Sequence, residues 1–229
     1  MDTLQLQINS VLMDNGASLV GFSDISDLSD DIRHSMNYAV SIAVALDPAI
    51  VGNISAGPTL DYFGEYKRVN SLLSGLCRKA GDVIRKNGYN AVTIDPTTEN
   101  FNLITLTTPL PHKTSAIRAG FGWIGKSALL VTEKYGAAIR LATVLCNAEF
   151  DVENTATESK CVECRECVIH CPAKAIAGHN WEPGHERSRV YNAHECRETA
   201  LTLSGNIGIH ATICGICINV CPWTQKYIR

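Results

Sequence analysis

The cysteines constrain this chain more than any other feature. Cys161-x2-Cys164-x2-Cys167-x3-Cys171-Pro172 is a complete run, and Cys214-x2-Cys217-x3-Cys221-Pro222 is a second run one ligand short. The spacing is that of bacterial ferredoxins. A cubane presents its irons at separate corners. Three closely spaced thiolates therefore wrap one cluster while the fourth reaches the other. A structural zinc asks only for two pairs of ligands and does not call for the longer run.

Two cubanes need eight thiolates, and the two runs supply seven. The place three before Cys214 holds Ala211. Cys196 is the spare cysteine of the same region and is expected as the eighth ligand, with His194 and His210 as the alternatives. Crossed ligation then assigns Cys161, Cys164, Cys167 and Cys221 to one [4Fe–4S] cluster. The other takes Cys171, Cys196, Cys214 and Cys217. The chain has 10 cysteines, and only Cys77 and Cys146 lie outside this region. They read as small buried residues.

Composition narrows the class. The chain is 45% hydrophobic and 19% charged with a net charge of −3, which excludes a disordered polymer and gives no general reason to expect nucleic-acid binding. The start, MDTLQLQINS, lacks the basic end and apolar run expected of a secretory leader, and no apolar run approaches the ~18 residues of a membrane span. A soluble, cytoplasmic protein with no membrane partner is expected. In a reducing compartment, dense cysteines signify metal or redox chemistry. From Thr157 to Arg229 there are eight basic and seven acidic residues. Two oxidised clusters at about −2 each make the loaded module negative. Lys160, Arg165, Lys174 and Arg197 are candidates to balance that charge.

Residues 1–155 read as an α/β (α+β) domain, and 156–229 as a two-cluster ferredoxin-like module. The spacing of Leu4, Ile8, Val11 and Leu12 predicts a helix, and Leu19 to Phe22 a strand. Tyr38 to Leu46 is apolar on both faces, as a central strand would be. Tyr62, Tyr66, Val69, Leu73, Leu76, Ala80 and Ile84 predict a long helix ending at Asn87-Gly88. Ala91 to Ile94 predicts a strand, and Lys113 to Ala119 a helix. Leu129 to Thr132 and Ala138 to Val144 read as a hairpin turning at Glu133 to Gly136. The apolar-poor stretch from Asp151 to Lys160 is taken as the boundary.

Gly120-Phe121-Gly122-Trp123-Ile124-Gly125-Lys126-Ser127 fits both GxGxxG and GxxxxGK[ST]. Both phosphate motifs need a strand before and a helix after. Here a helical pattern precedes and a β-like stretch follows. The glycines are read instead as allowing close backbone approach to a large planar ligand or to the cysteine module. Trp123 could stack on such a ligand. The plain alternative is a turn with Trp123 in the core.

The segment AGFGWIGKSALL, followed by two ferredoxin runs of which the second ends CPW, resembles epoxyqueuosine reductase. More closely, it is similar to the short epoxyqueuosine-reductase-like iron–sulfur proteins of anaerobes. Tyr62, Tyr66, Asn70 and His112-Lys113-Thr114 fit that group, and the resemblance runs from about Asp61 to the C-terminus. It implies cobalamin held base-off between the α/β domain and the cluster module, with the clusters reducing the cobalt. It puts Gly122, Trp123, Lys126 and Ser127 near the corrin. The implied partners are a low-potential donor of ferredoxin or flavodoxin type and a small-molecule or corrinoid acceptor.

Two departures matter. Counting back from Gly120, the family's proline is Pro109. The acid expected three before it is Leu106, and the Glu expected three after it is His112. His112 is the candidate catalytic residue, as proton donor or axial ligand, because imidazole does both. The other reading is a hydrogen-bonded histidine. The sequence runs only to Arg229, so tRNA-contacting repeats, a nucleic-acid partner and epoxyqueuosine reduction are not expected. The expected function is a two-cluster redox protein passing low-potential electrons to a cofactor, an oxidoreductase where it turns over a substrate. The alternative is an electron-transfer partner with no substrate site of its own.

Overall fold

Leu4, Ile8 and Leu12 share one helical face and are buried in α1 (Thr3–Asp14). Ile8 and Leu12 are wholly inaccessible, and each such side chain contributes roughly 1.5–3 kcal/mol. Packing of this kind, rather than helix propensity, holds a helix this short. The computed structural model describes residues 3–97, 101–152 and 158–229. After α1 come β1 (Leu19–Asp24), α2 (Asp30–Arg33), β2 (Tyr38–Ala45), α3 (Pro48–Gly52) and α4 (Leu60–Lys86). Then follow β3 (Ala91–Ile94), α5 (His112–Arg118), β4 (Trp123–Ile124), β5 (Leu130–Val131) and β6 (Ile139–Cys146). The last elements are α6 (Glu166–Ile169), α7 (Arg187–Val190), α8 (Ala193–Gly205), α9 (Ile216–Asn219) and α10 (Pro222–Ile228). The chain is thus mixed α/β, as its patterning predicts. Among the described residues no helix is long and apolar enough to cross a membrane.

The chain forms two compact units. The first comprises Met1–Ala45, Val69–Phe121 and Arg140–Ala156. Its sheet has the order β1-β2-β6-β3. β1 and β2 are antiparallel, with Leu19 opposite Ala43 and Asp24 opposite Tyr38. β3 and β6 are also antiparallel, with Ala91 opposite Cys146. β2 is buried along its length except at its ends, as a central strand should be. Ile25, Ala39, Leu110 and Leu145 form one core cluster against the sheet. Cys77 and Cys146 are buried in this unit. Burial pushes both thiols up to about 12, so neither ionises at neutral pH.

The second unit comprises Leu46–Arg68, Gly122–Ile139 and Thr157–Arg229. The compact division therefore differs from a linear one at 155/156, a boundary that itself lies outside the described residues. Two segments from earlier in the chain fold with the cysteines. Asn219 Nδ2 donates to the Val51 carbonyl at 2.9 Å, and the Tyr227 hydroxyl donates to that of Leu46 at 2.8 Å. Buried Glu65 accepts from the main-chain N–H of Asp47 at 2.9 Å and pairs with Arg68. The Arg68 guanidinium, with burial opposing it, holds that carboxyl below its ordinary range.

The predicted hairpin between residues 129 and 144 does not form. The turn exists, with Thr132 bridged to Gly136, but the flanking segments part. β5 pairs antiparallel with β4, and β6 pairs with β3 in the other sheet. A sequence pattern shows that two segments are strands. It does not show which neighbour offers a better-matched face.

Candidate metal centre

The cysteines are presented by short helices and the turns at their ends. Cys164 N–H donates to the Cys161 carbonyl at 2.8 Å, curling the first run. Cys167 lies in α6, and Cys171 follows the helix end at His170. Cys217 lies in α9, and Cys221 is the N-cap of α10, with Pro222 opening that helix. Cys196 lies on α8, which is capped by Asn192 accepting from the N–H groups of His194 and Glu195. An antiparallel bridge of Ile176 with Tyr191 draws the chain after Cys171 alongside the start of α8. Ala177 N–H to Val190 O, and Asn192 N–H to Ala175 O, close that bridge. Through it, Cys196 is carried to Cys171 over a long loop.

Two cavities result. The first, ≈ 80 Å³, is lined by Cys161, Cys164, Cys167 and Cys221 together with Cys217. The second, ≈ 50 Å³, is lined by Cys171, Cys196, Cys214 and Cys217. Each cavity brings together the four cysteines that crossed ligation groups, with Cys217 and Ser127 in both linings. His194 and His210 line neither. Among the described residues, no group of three or more His, Cys, Asp or Glu is set to hold a single metal ion.

The electrostatics follow the same grouping. Burial pushes the Cys167 thiol up to about 11, and repulsion from Cys161, Cys164 and Cys221 adds to it. Burial raises Cys196, and Cys171 and Cys214 reinforce the shift. Cys217 is raised by burial and then by neighbours from both sets. Four half-buried thiols that repel one another as thiolates are a donor set suited to cationic iron, which removes that repulsion and takes up thiolate.

The glycine loop packs onto the first cysteine run. α5 precedes it and β5 follows it, so the strand–loop–helix context of either phosphate motif is absent here. Gly122 has φ +156°, and a Cβ there would sit 1.9 Å from the Val131 carbonyl oxygen. At Gly125 a Cβ would meet Val131 Cγ2 at 2.9 Å and Cys161 Sγ at 3.5 Å. The glycines serve close approach of this loop to its own hairpin partner and to a cysteine. Lys126 is 5% exposed, and its Nζ donates to the carbonyls of Val162 at 2.6 Å and Cys164 at 3.0 Å. Trp123 is 1% exposed and packs with Val131, Ala137, Cys161, Cys221 and Trp223. Its ring meets Trp223 edge-on at 5.0 Å. Buried on this scale, the indole has no free face for a planar ligand. Lys160, expected as a counter-charge, forms an ion pair with Glu133 and lies over the Trp123 ring at 5.6 Å.

His112 lies in the first unit, and both ring nitrogens are engaged. Nδ1 meets the Thr143 hydroxyl at 2.9 Å, and Nε2 meets the Asp95 carbonyl at 3.0 Å. A carbonyl only accepts, so Nε2 carries the proton and Nδ1 accepts from Thr143. Burial holds this imidazole down at about 4, with the Arg140 charge adding and the Asp95 carbonyl opposing. In this arrangement neither nitrogen is available to a cobalt ion or an outside proton acceptor. Leu106, at the place of the expected acid, is buried with φ 53°. Sequence reasoning missed the part played by Thr224. Its buried hydroxyl accepts from Ala137 N–H at 3.0 Å and hydrogen-bonds the Cys221 thiol.

Comparison with known proteins agrees with this geometry. Residues 160–224 match the family model described as a 4Fe-4S double cluster binding domain. The chain is 32% identical over 125 residues to an epoxyqueuosine reductase of Atelocyanobacterium thalassa, covering 54% of this chain and 40% of that one. It is 30% identical over 128 residues to the epoxyqueuosine reductase of a Synechocystis species, covering 54% and 43%. The match thus spans about two fifths of these relatives. In structure, it is similar to the catabolic reductive dehalogenase NpRdhA at a TM-score of 0.73 and 16% identity, covering 95% of this chain and 31% of that one. A reductive dehalogenase described through B12-dependent dehalogenation matches at 0.71. An epoxyqueuosine reductase solved with an epoxyqueuosine-modified tRNA stem loop matches at 0.64 and 19% identity, covering 97% and 65%.

Proposed function

We propose that this chain, an epoxyqueuosine-reductase-like iron–sulfur protein, is a two-cluster redox protein that delivers low-potential electrons to a cobalamin acceptor. The observation that carries the reading is the pair of thiol-lined cavities with a shared wall. In this reading Cys161, Cys164, Cys167 and Cys221 hold one [4Fe–4S] cluster. Cys171, Cys196, Cys214 and Cys217 hold the other. When bound, each cluster stores one electron at a potential set by its charge, the hydrogen bonds to its sulfurs and its exposure. Cys217 and Ser127 stand in both walls and connect the two. Val131 and Trp223 on one side, and Ile176 and Tyr191 on the other, flank the cysteines with apolar surface. The donor is a protein of ferredoxin or flavodoxin type.

Support for cobalamin comes from the likeness in fold to a reductive dehalogenase described through B12-dependent dehalogenation. Gly122, Trp123 and Lys126 are engaged within the cysteine unit and do not serve as corrin contacts in this reading. A tRNA stem loop is the second ligand to try, because a structural relative was solved with one. Leu106 at the acid's place argues against the same reaction.

Anaerobically loaded full chain is expected to carry about eight iron, by the ligand count. Titration with hydroxocobalamin is expected to shift the corrin spectrum. A chain that holds both clusters and leaves that spectrum unchanged loses the cobalamin half of the proposal. About four iron or fewer removes the two-cluster half.

A further inference from the structure

The two cavities differ in what surrounds them. The first has a buried cation in its wall, Lys126, fixed by the carbonyls of Val162 and Cys164. Behind it, Trp123 packs against Cys161 and Cys221. The Trp123 Nε1–H is buried without a hydrogen-bond partner among the described residues. A buried donor left unpaired is costly and needs an explanation. A cluster held by Cys161 and Cys221 would supply a sulfur acceptor. The Cys221 sulfur itself takes main-chain donors from Trp223 and Thr224, and the Thr224 hydroxyl.

Among the described residues the second cavity has no charged side chain in its lining, where Pro172, Ala173, Ile176 and Ala200 surround the cysteines. A main-chain donor, Ala175 N–H, reaches Cys171 Sγ at 3.4 Å. Arg187 lies over the Tyr191 ring at 5.8 Å, outside that lining.

Reduction adds an electron to a centre that is already an anion. Hydrogen-bond donors to sulfur and a nearby cation stabilise the reduced form more than the oxidised one. We infer that the first cluster is the more easily reduced of the two, and that the Trp123 N–H and the Lys126 ammonium make it so. An electron entering either centre then settles on the first. This rests on the ligand sets proposed above.

The test is an EPR-monitored redox titration of the loaded full chain, labelled with 15N at the indole nitrogen of its three tryptophans. Two separate one-electron midpoints are expected. Trp123→Phe and Lys126→Gln are each expected to lower the higher midpoint by about tenfold in the reduction equilibrium, ~59 mV for one electron, and to leave the lower one in place. At half reduction the paramagnetic cluster should show a 15N coupling that Trp123→Phe abolishes and Trp223→Phe retains. Unchanged potentials in loaded variants, or a shift confined to the lower midpoint, overturn the inference. Where a variant fails to hold its cluster, the parent protein decides: half-reduced protein without an indole coupling overturns it too. Iron content and total spin report the two-cluster reading separately, so the two failures are distinguishable.

Discussion

The Nζ of Lys126 lies 3.0 Å from the main-chain oxygen of Cys164. A lysine that ends a phosphate-loop pattern in the sequence is, in the fold, a clamp on the first cysteine loop. Replacing it with Met leaves the carbonyls of Val162 and Cys164 without that donor, at about 1–3 kcal/mol each where they are buried. Lys126→Met is expected to fall toward four iron per chain and to melt earlier, read by iron assay and calorimetry.

Cys196 separates a two-cluster protein from a seven-thiolate one. Cys196→Ala is expected to lose the second cluster, with iron falling from about eight to about four and the first cluster's EPR signal retained. Cys77→Ala, in the other unit, is expected to keep both. Full loading of Cys196→Ala with unaltered spectra would refute the ligand set.

Gly122 is a steric test of the loop. An alanine methyl would overlap the Val131 carbonyl, at a φ that side chains avoid. Gly122→Ala is expected to destabilise the chain by about 3 kcal/mol or more, among the larger point-mutation effects. Denaturant midpoints measure it. Retained stability would mean that β4 and β5 do not pair as described.

His112 gives a pH signature. Its folded value of about 4 lies below the ordinary 6.5, so the unfolded chain takes up the proton first on acidification. The stability it contributes is complete above about pH 6.5, is lost as pH falls toward 4, and changes no further below that. The window corresponds to about 3 kcal/mol. His112→Gln is expected to flatten that part of the stability–pH curve. An unchanged slope would show that the imidazole titrates normally.

The cysteine spacing announced two cubanes, because the geometry of the cluster is written into how many residues separate its ligands. The apolar periodicities of α1, β2, α4 and β3 were equally readable, since burial on one face or both leaves a local pattern. His112 was readable as a residue of interest but not in its role. The partners that engage it, Asp95 and Thr143, come from distant positions and meet it only when the sheet forms.

The sequence by itself determined the ligand chemistry, the count of thiolates and most elements, all of which are local properties of the chain. Only the tertiary structure decided the rest. It chose β4 over β6 as the partner of β5, and it brought 46–68 and 122–139 into the cysteine unit. It also turned Trp123 and Lys126 toward the first cysteine run. These outcomes depend on which surfaces match and which buried donors find acceptors across long separations. No window of residues carries that information.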